Sequence, residues 1–329
     1  MANTCRVSTL GNGLYHVIVR TVARDFFLRG EEKKILRGMV MKAARFGGIQ
    51  VITFCCLDNH LHLVVFVPQR RPVSNEELFE RLESLYNEEK VKVIRALWEF
   101  REKHGRGRIV RLEKEHYINR MYNLSSFVKT FKENFTQSYN RRHSGRIGTV
   151  WAGRFKSILL NGKRDLALIV CLYVDLNPVK ADLEGVGLDP GLYAWSGIGA
   201  ALGGDREAME GILTLGRWVG FASEETTPER ATLLYYDILL GKARGRIRSF
   251  LETRIRVGEK DRRFAPPLRG KEMTLFEMLH YKLRCLENGR MLSERAEDMD
   301  HIRGSHPRKS VLPGYYSANG LRKTVVIGR

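Results

Sequence analysis

The chain lacks any cysteine pattern that could organise a fold. Its five cysteines, Cys5, Cys55, Cys56, Cys171 and Cys285, are odd in number and scattered, with no CxxC pair and no zinc-like Cys/His spacing. A disulfide scaffold is therefore not expected, and the thiol usage fits a reducing cytoplasm. Long apolar runs are missing too. The longest, residues 166–174, falls far short of the roughly 20 residues a spanning helix needs, and MANTCRVSTLGNG has no signal-peptide core. A soluble, cytoplasmic protein is expected. No GxxxxGK[ST] phosphate loop occurs. Acidic residues are scarce relative to basic ones, 37 against 56, for a formal charge of +19. A surplus of that size points to a polyanionic partner, nucleic acid first.

What is present supports a real core. The 329 residues are 43% apolar and 9% aromatic, enough for one large or two ordinary domains. The stretch that organises the rest is residues 51–68, VITFCCLDNHLHLVVFVP, in which two strand-forming runs meet at Leu57-Asp58-Asn59. His60 and His62 open the second run, and residues two apart on a strand share a face. One histidine on a strand is more often packed or merely exposed. Two at this spacing make a pair of candidate metal ligands that leaves most of a coordination sphere open.

Residues 14–22 (LYHVIVRTV) read as a first strand, on which His16 is expected to be structural. Residues 31–46 follow helical spacing through Ile35, Met39, Ala43 and Phe46, and Gly47-Gly48 supplies the stop. Residues 75–111 are dense in Glu, Lys and Arg around spaced apolar positions and read as an inserted helical pair. The charge run there is expected to be a solvated face, although residues 106–111 could touch phosphates. Residues 124–139 form an amphipathic helix, 154–160 a strand, and 163–176 a helix ended by Asn177-Pro178. The order β-α-β-β-α-β predicts an α+β fold with a ferredoxin-like split βαβ core, an antiparallel sheet with helices on one face. A helical insert at about 70–118 and a mainly helical C-terminal region complete it. The expected division is a catalytic domain over 1–200 and a basic accessory region over 201–329, with helices at 228–242 and 274–286 and a basic run at 244–248.

Between residues 129 and 156 lie seven cations, Lys129, Lys132, Arg141, Arg142, Arg146, Arg154 and Lys156, against the single acid Glu133. Tyr139, His143, Trp151 and Phe155 interleave with them. Cations with aromatics suit a single-stranded nucleic-acid groove, where phosphates meet charge and bases stack on rings. Tyr173 and Asn177 are four apart, on one helix face or its last turn. A tyrosine hydroxyl can attack phosphorus, and an amide oxygen one turn away can complete a metal site begun by two histidines. A lone tyrosine in LIVCLYVDLNP would otherwise be a core aromatic.

These blocks, in this order, resemble the REP-associated tyrosine transposases, within the single-tyrosine HUH transposases of the insertion-sequence-200-like type. The resemblance rests on YHVIVR (15–20), DNHLHLVV (58–65), FTQSYNRRHSGRIGTVWAGRFKSIL (135–159), YVDLNPVKA (173–181) and YAWSG (193–197), and more weakly on residues 275–294 and LRKTVVIG (321–328). It implies that His60 and His62 hold a divalent metal, Mg or Mn by preference, with Asn177 in the third-ligand position. It also implies that Tyr173 is the nucleophile on single-stranded or hairpin DNA, forming a 5′-phosphotyrosine. Three departures stand out: Asp58 where the family usually has Pro, Gly197 for a usual Ser, and the long charged insert. The insert leaves the recognised DNA structure and the formation of a homodimer open. Ile169 occupies the position one turn before Tyr173, which disfavours a two-tyrosine enzyme. The rival readings are a metal-dependent phosphodiesterase using water and a catalytically silent hairpin-binding protein.

Overall fold

A computed structural model describes residues 12–25, 27–143, 146–160, 164–181, 183, 185–186, 189–241, 315–316 and 322–323. The expected elements at 244–248, 274–286 and 275–294, and most of 321–328, lie outside the described residues. Tyr315–Tyr316 and Arg322–Lys323 pair as a short antiparallel ladder.

Four strands, Gly13–Arg20 (β1), Gln50–Cys56 (β2), His60–Val67 (β3) and Lys156–Leu159 (β4), make one antiparallel sheet in the order β2-β3-β1-β4. β1 and β2 have β3 inserted between them, which is the split βαβ pattern. The connecting helices are α1, Glu31–Gly47, and α5, Leu124–Arg142, and they pack along each other. Leu36, Val40 and Met41 of α1 meet Leu61 and Leu63 of β3 on one face of the sheet. α1 ends where the sequence predicts, because Gly48 takes the left-handed conformation (φ 62°) and its N–H reaches the carbonyls of Ala44 and Arg45.

The insert holds three helices rather than two: Asn75–Leu85 (α2), Glu88–Lys103 (α3) and Gly107–Ile118 (α4). Ser74 and Asn87 cap the first two through the N–H groups of Glu77 and Lys90. The basic run at 106–111 hides the start of α4, whose Val110 is buried with Leu78, Leu82, Val91 and Trp98 in a core separate from that of the sheet.

The second face of the sheet is covered as well. Helices Arg164–Asp175 (α6), Asn177–Lys180 (α7), Gly197–Leu202 (α8), Arg206–Val219 (α9) and Pro228–Leu239 (α10) follow β4, and α6, α8 and α9 contact β2. Ile212, Leu215 and Tyr235 share the main core with Val17 and Leu63, so packing continues through the expected boundary at residue 200. Two close approaches explain small residues here. A Cβ on Gly211 would fall 2.5 Å from the carbonyl oxygens of both Val51 and Ile52, and one on Gly197 would fall 2.0 Å from Thr53 Oγ1. The Gly197 departure is thus what lets α8 sit on β2.

Candidate active site

The antiparallel register sets Ile18 opposite His62 and His16 opposite Val64. Directly opposed residues share a face, so His16, His60 and His62 all project toward α6. The two strand histidines do lie side by side, with ring centroids 4.9 Å apart. Tyr173, on α6, sets its ring edge-on to His62 at 5.8 Å and to His16 at 6.3 Å. The side chains that were 111 to 157 positions apart in sequence meet at one place.

Asp175 holds α6 there. Its buried carboxylate accepts from Thr53 Oγ1 on β2 at 2.8 Å, Tyr235 Oη on α10 at 2.9 Å and the Ile198 amide at 3.0 Å. Even with three donors, burial raises its pKa from 3.8 to about 6. Asn177 follows half a turn later and is buried. Its Nδ2 donates to the Tyr173 carbonyl at 2.8 Å and caps the end of α6, which directs the amide oxygen elsewhere.

A second clamp orders the loop before β3. Lys33, buried on α1, pairs with Asp58 at 2.6 Å and donates to Tyr193 Oη at 2.9 Å, and Tyr193 Oη donates to the Cys56 carbonyl at 2.6 Å. The Asp58 departure therefore gains a buried cationic partner and ties the YAWSG block to the histidine strand.

All three imidazoles are held neutral. His16 is lowered to about 4 by burial, and His60 to about 4 by burial and then by Arg20, Arg24 and Lys180. Burial and the neighbouring rings push His62 well below its ordinary value. The Nδ1 atoms of His60 and His62 are already engaged: that of His60 lies 2.6 Å from Asn59 Oδ1, and that of His62 lies 3.0 Å from His16 Nε2, whereas the buried Nδ1 of His16 has no partner. A neutral imidazole whose Nδ1–H donates keeps a lone pair on Nε2, the form a metal takes. The donor chemistry of His60 and His62 thus fits a divalent cation. Among the described residues no cluster of three or more His, Cys, Asp or Glu side chains could hold a metal. Two imidazoles leave the other positions to oxygen ligands.

Four residues of this site escape a reading by spacing: His16, Arg20, Arg24 and Lys180. All but Arg24 lie inside blocks quoted for the family resemblance, and the cations surround His60. Lys180 Nζ lies 5.6 Å from the Tyr173 ring centroid. Ala23 and Arg24 hold positive φ values of 52° and 60°, uncommon for residues with a side chain, in the turn beside β1.

The tract at 129–156 divides. Lys129, Arg141, Arg154 and Lys156 are exposed. Lys132 donates to the Gly153 carbonyl at 2.7 Å, Arg142 pairs with Glu32 at 3.2 Å, and Arg146 lies over the Phe27 and Tyr139 rings. Tyr139, Trp151 and Phe155 are buried, so these rings are core and offer no stacking platform. Their helical and strand spacing served the interior instead.

Residues 9–99 match the family described as Transposase IS200 like. Over this segment the sequence is similar to that family. The matched segment contains His16, His60 and His62 and ends within α3, before the helix of Tyr173. A solved structure of a REP-associated tyrosine transposase bound to a REP hairpin is similar over 62% of this chain and 86% of its own, at 16% identity and a TM-score of 0.38. A comparison with curated proteins finds no match. No helix among the described residues is long and apolar enough to cross a membrane.

Proposed function

We propose that this protein is a DNA transposase of the IS200-like kind, a single-strand DNA endonuclease and ligase in which Tyr173 is the nucleophile. The observation that carries the reading is the placement of the Tyr173 ring against His62, beside a histidine pair in metal-ready form. The Tyr173 oxygen attacks phosphorus and the bond to the 3′-oxygen breaks. A 5′-phosphotyrosine and a free 3′-hydroxyl result, and the proton lost by the phenol balances the one gained by the leaving oxygen. Attack by a 3′-hydroxyl reverses the step. The ester keeps the bond energy, so no nucleotide hydrolysis is needed.

His60 and His62 are the residues that would hold a divalent metal, Mg or Mn, through their Nε2 atoms, with Asn177 as the candidate oxygen ligand. When bound, such an ion polarises and orients the scissile phosphate. Arg20, Arg24 and Lys180 supply positive potential for the same phosphate, and Lys129, Arg141, Arg154 and Lys156 extend it along a strand. The partner is single-stranded or hairpin DNA.

The test is incubation of the protein with end-labelled hairpin DNA and Mg²⁺ or Mn²⁺, followed by denaturing electrophoresis. A denaturation-resistant adduct from the wild type and none from Tyr173→Phe is the expected result. Cleavage without adduct makes the protein a phosphodiesterase, and tight binding without cleavage makes it a silent binder.

A further inference from the structure

Ten large apolar side chains are exposed among the described residues, and five of them lie on two adjacent helices: Val93, Leu97 and Phe100 on α3 and Ile109 and Leu112 on α4. Exposures of 64%, 41%, 56%, 44% and 57% put all five well outside the insert's own core. At about 100° per residue, Val93, Leu97 and Phe100 form one stripe, roughly 140° from the buried positions Val91 and Trp98. Ile109 and Leu112 form a second stripe with a similar offset from Val110.

α3 and α4 are joined by a turn at residues 104–106 and run antiparallel, held by Trp98 Nε1 and Arg101 donating to Glu113. In an antiparallel pair, stripes offset in the same rotational sense from the contact line fall on the same side. The two stripes therefore make one apolar face on the hairpin, of the concentrated kind that marks an interaction surface.

We propose that this face docks a second copy of the chain, with α3 packed antiparallel to α3 of the other copy. The α3 sequence is self-complementary about its middle. A two-fold axis beside Ala96 and Leu97 sets Val93 against Phe100 of the copy and Leu97 against its own equivalent. The small Ala96 allows close approach. The same axis sets Glu89 against Lys103, the two charges flanking the stripe. Their neighbours are occupied within the chain, Glu88 by Lys92 and Glu102 by Lys114. Glu89 and Lys103 are exposed and, among the described residues, have no ion pair inside the chain. An isologous contact of this form is the commonest oligomer geometry, and antiparallel helices also oppose their dipoles favourably.

The test is sedimentation velocity on the full chain over a range of concentrations, without DNA. Wild type should sediment as a dimer, Leu97→Glu as a monomer with an unchanged far-ultraviolet spectrum. Glu89→Lys and Lys103→Glu should each raise the dissociation constant at least several-fold, and the double swap should restore it. A wild type that stays monomeric at all concentrations, or a dimer that survives Leu97→Glu, overturns the proposal. So does a monomer whose Leu97→Glu variant loses hairpin binding, which would make the face a DNA contact.

Discussion

Asp175 offers a prediction whose sign and size both follow from the geometry. Its pKa rises from 3.8 to about 6 on folding because burial outweighs the three hydrogen bonds it accepts. The folded state thus binds this proton more tightly than the unfolded chain. The associated stability is fully present below about pH 4 and is lost as pH rises through about 6. At 1.36 kcal/mol per unit the loss is about 3 kcal/mol when complete, and about 2 to 3 kcal/mol between pH 4 and pH 7.

Asp175→Asn removes the titration with little change of shape. The Ile198 amide keeps an oxygen acceptor, and the hydroxyls of Thr53 and Tyr235 can rotate to accept from the new amide. Urea unfolding of both proteins, followed by tryptophan fluorescence at pH 4, 5, 6 and 7, isolates the effect, because other carboxylates contribute equally to each. The stability of Asp175→Asn relative to wild type should climb by about 2 to 3 kcal/mol from pH 4 to pH 7. A difference that stays flat with pH, or falls, would refute the claim that folding raises the pKa of this carboxyl.

Three further outcomes are expected. His16→Ala removes the partner of His62 Nδ1, so Mn²⁺ affinity measured by calorimetry should drop by about 10- to 100-fold, as loss of a ligand-orienting hydrogen bond does; unchanged affinity would return His16 to a purely structural role. Gly211→Ala drives a methyl group toward two backbone oxygens that cannot yield, so thermal unfolding should show a loss of about 2 kcal/mol or more, and a neutral result would mean that α9 is not seated on β2. Lys180→Ala should weaken hairpin binding and reduce the slope of log affinity against log salt by about one; an unaltered slope would remove Lys180 from the phosphate contacts.

The sheet and its helices were legible in the sequence because their signals are local. Alternating and β-branched runs gave β1 to β3, and the Gly47-Gly48 stop gave the end of α1 within a residue or two. The histidine pair was legible for the same reason, since a period of two is a property of one strand. The meeting of His62 with Tyr173 could be expected only from the order of the family-like blocks, because nothing local joins β3 to α6. His16 was read as structural: the periodicity of LYHVIVRTV gives its face but not the strand laid beside it, and the ring that contacts it comes from 46 residues away. The aromatics of the 129–156 tract were misplaced for the converse reason. A ring among cations reads the same whether it faces solvent or the core: tertiary packing sent Trp151 and Phe155 inward, while Tyr139 is buried as its place on the apolar stripe of the 124–139 helix requires. The third insert helix was hidden by five charged residues near its start, which carry no apolar stripe until Val110 and Tyr117 are seen against Trp98.

The claim that His60, His62 and Tyr173 form one site is tested most directly by locating the covalent link to DNA. Hairpin DNA, Mn²⁺ and protein are incubated, the DNA is trimmed with nuclease, and tryptic peptides are sequenced by mass spectrometry. The peptide spanning residues 165–180, DLALIVCLYVDLNPVK, has one tyrosine, and a nucleotide mass on Tyr173 of this peptide, absent from His60→Ala/His62→Ala protein, is the predicted result. An adduct on any other residue, or one that forms equally without the two histidines, would contradict it.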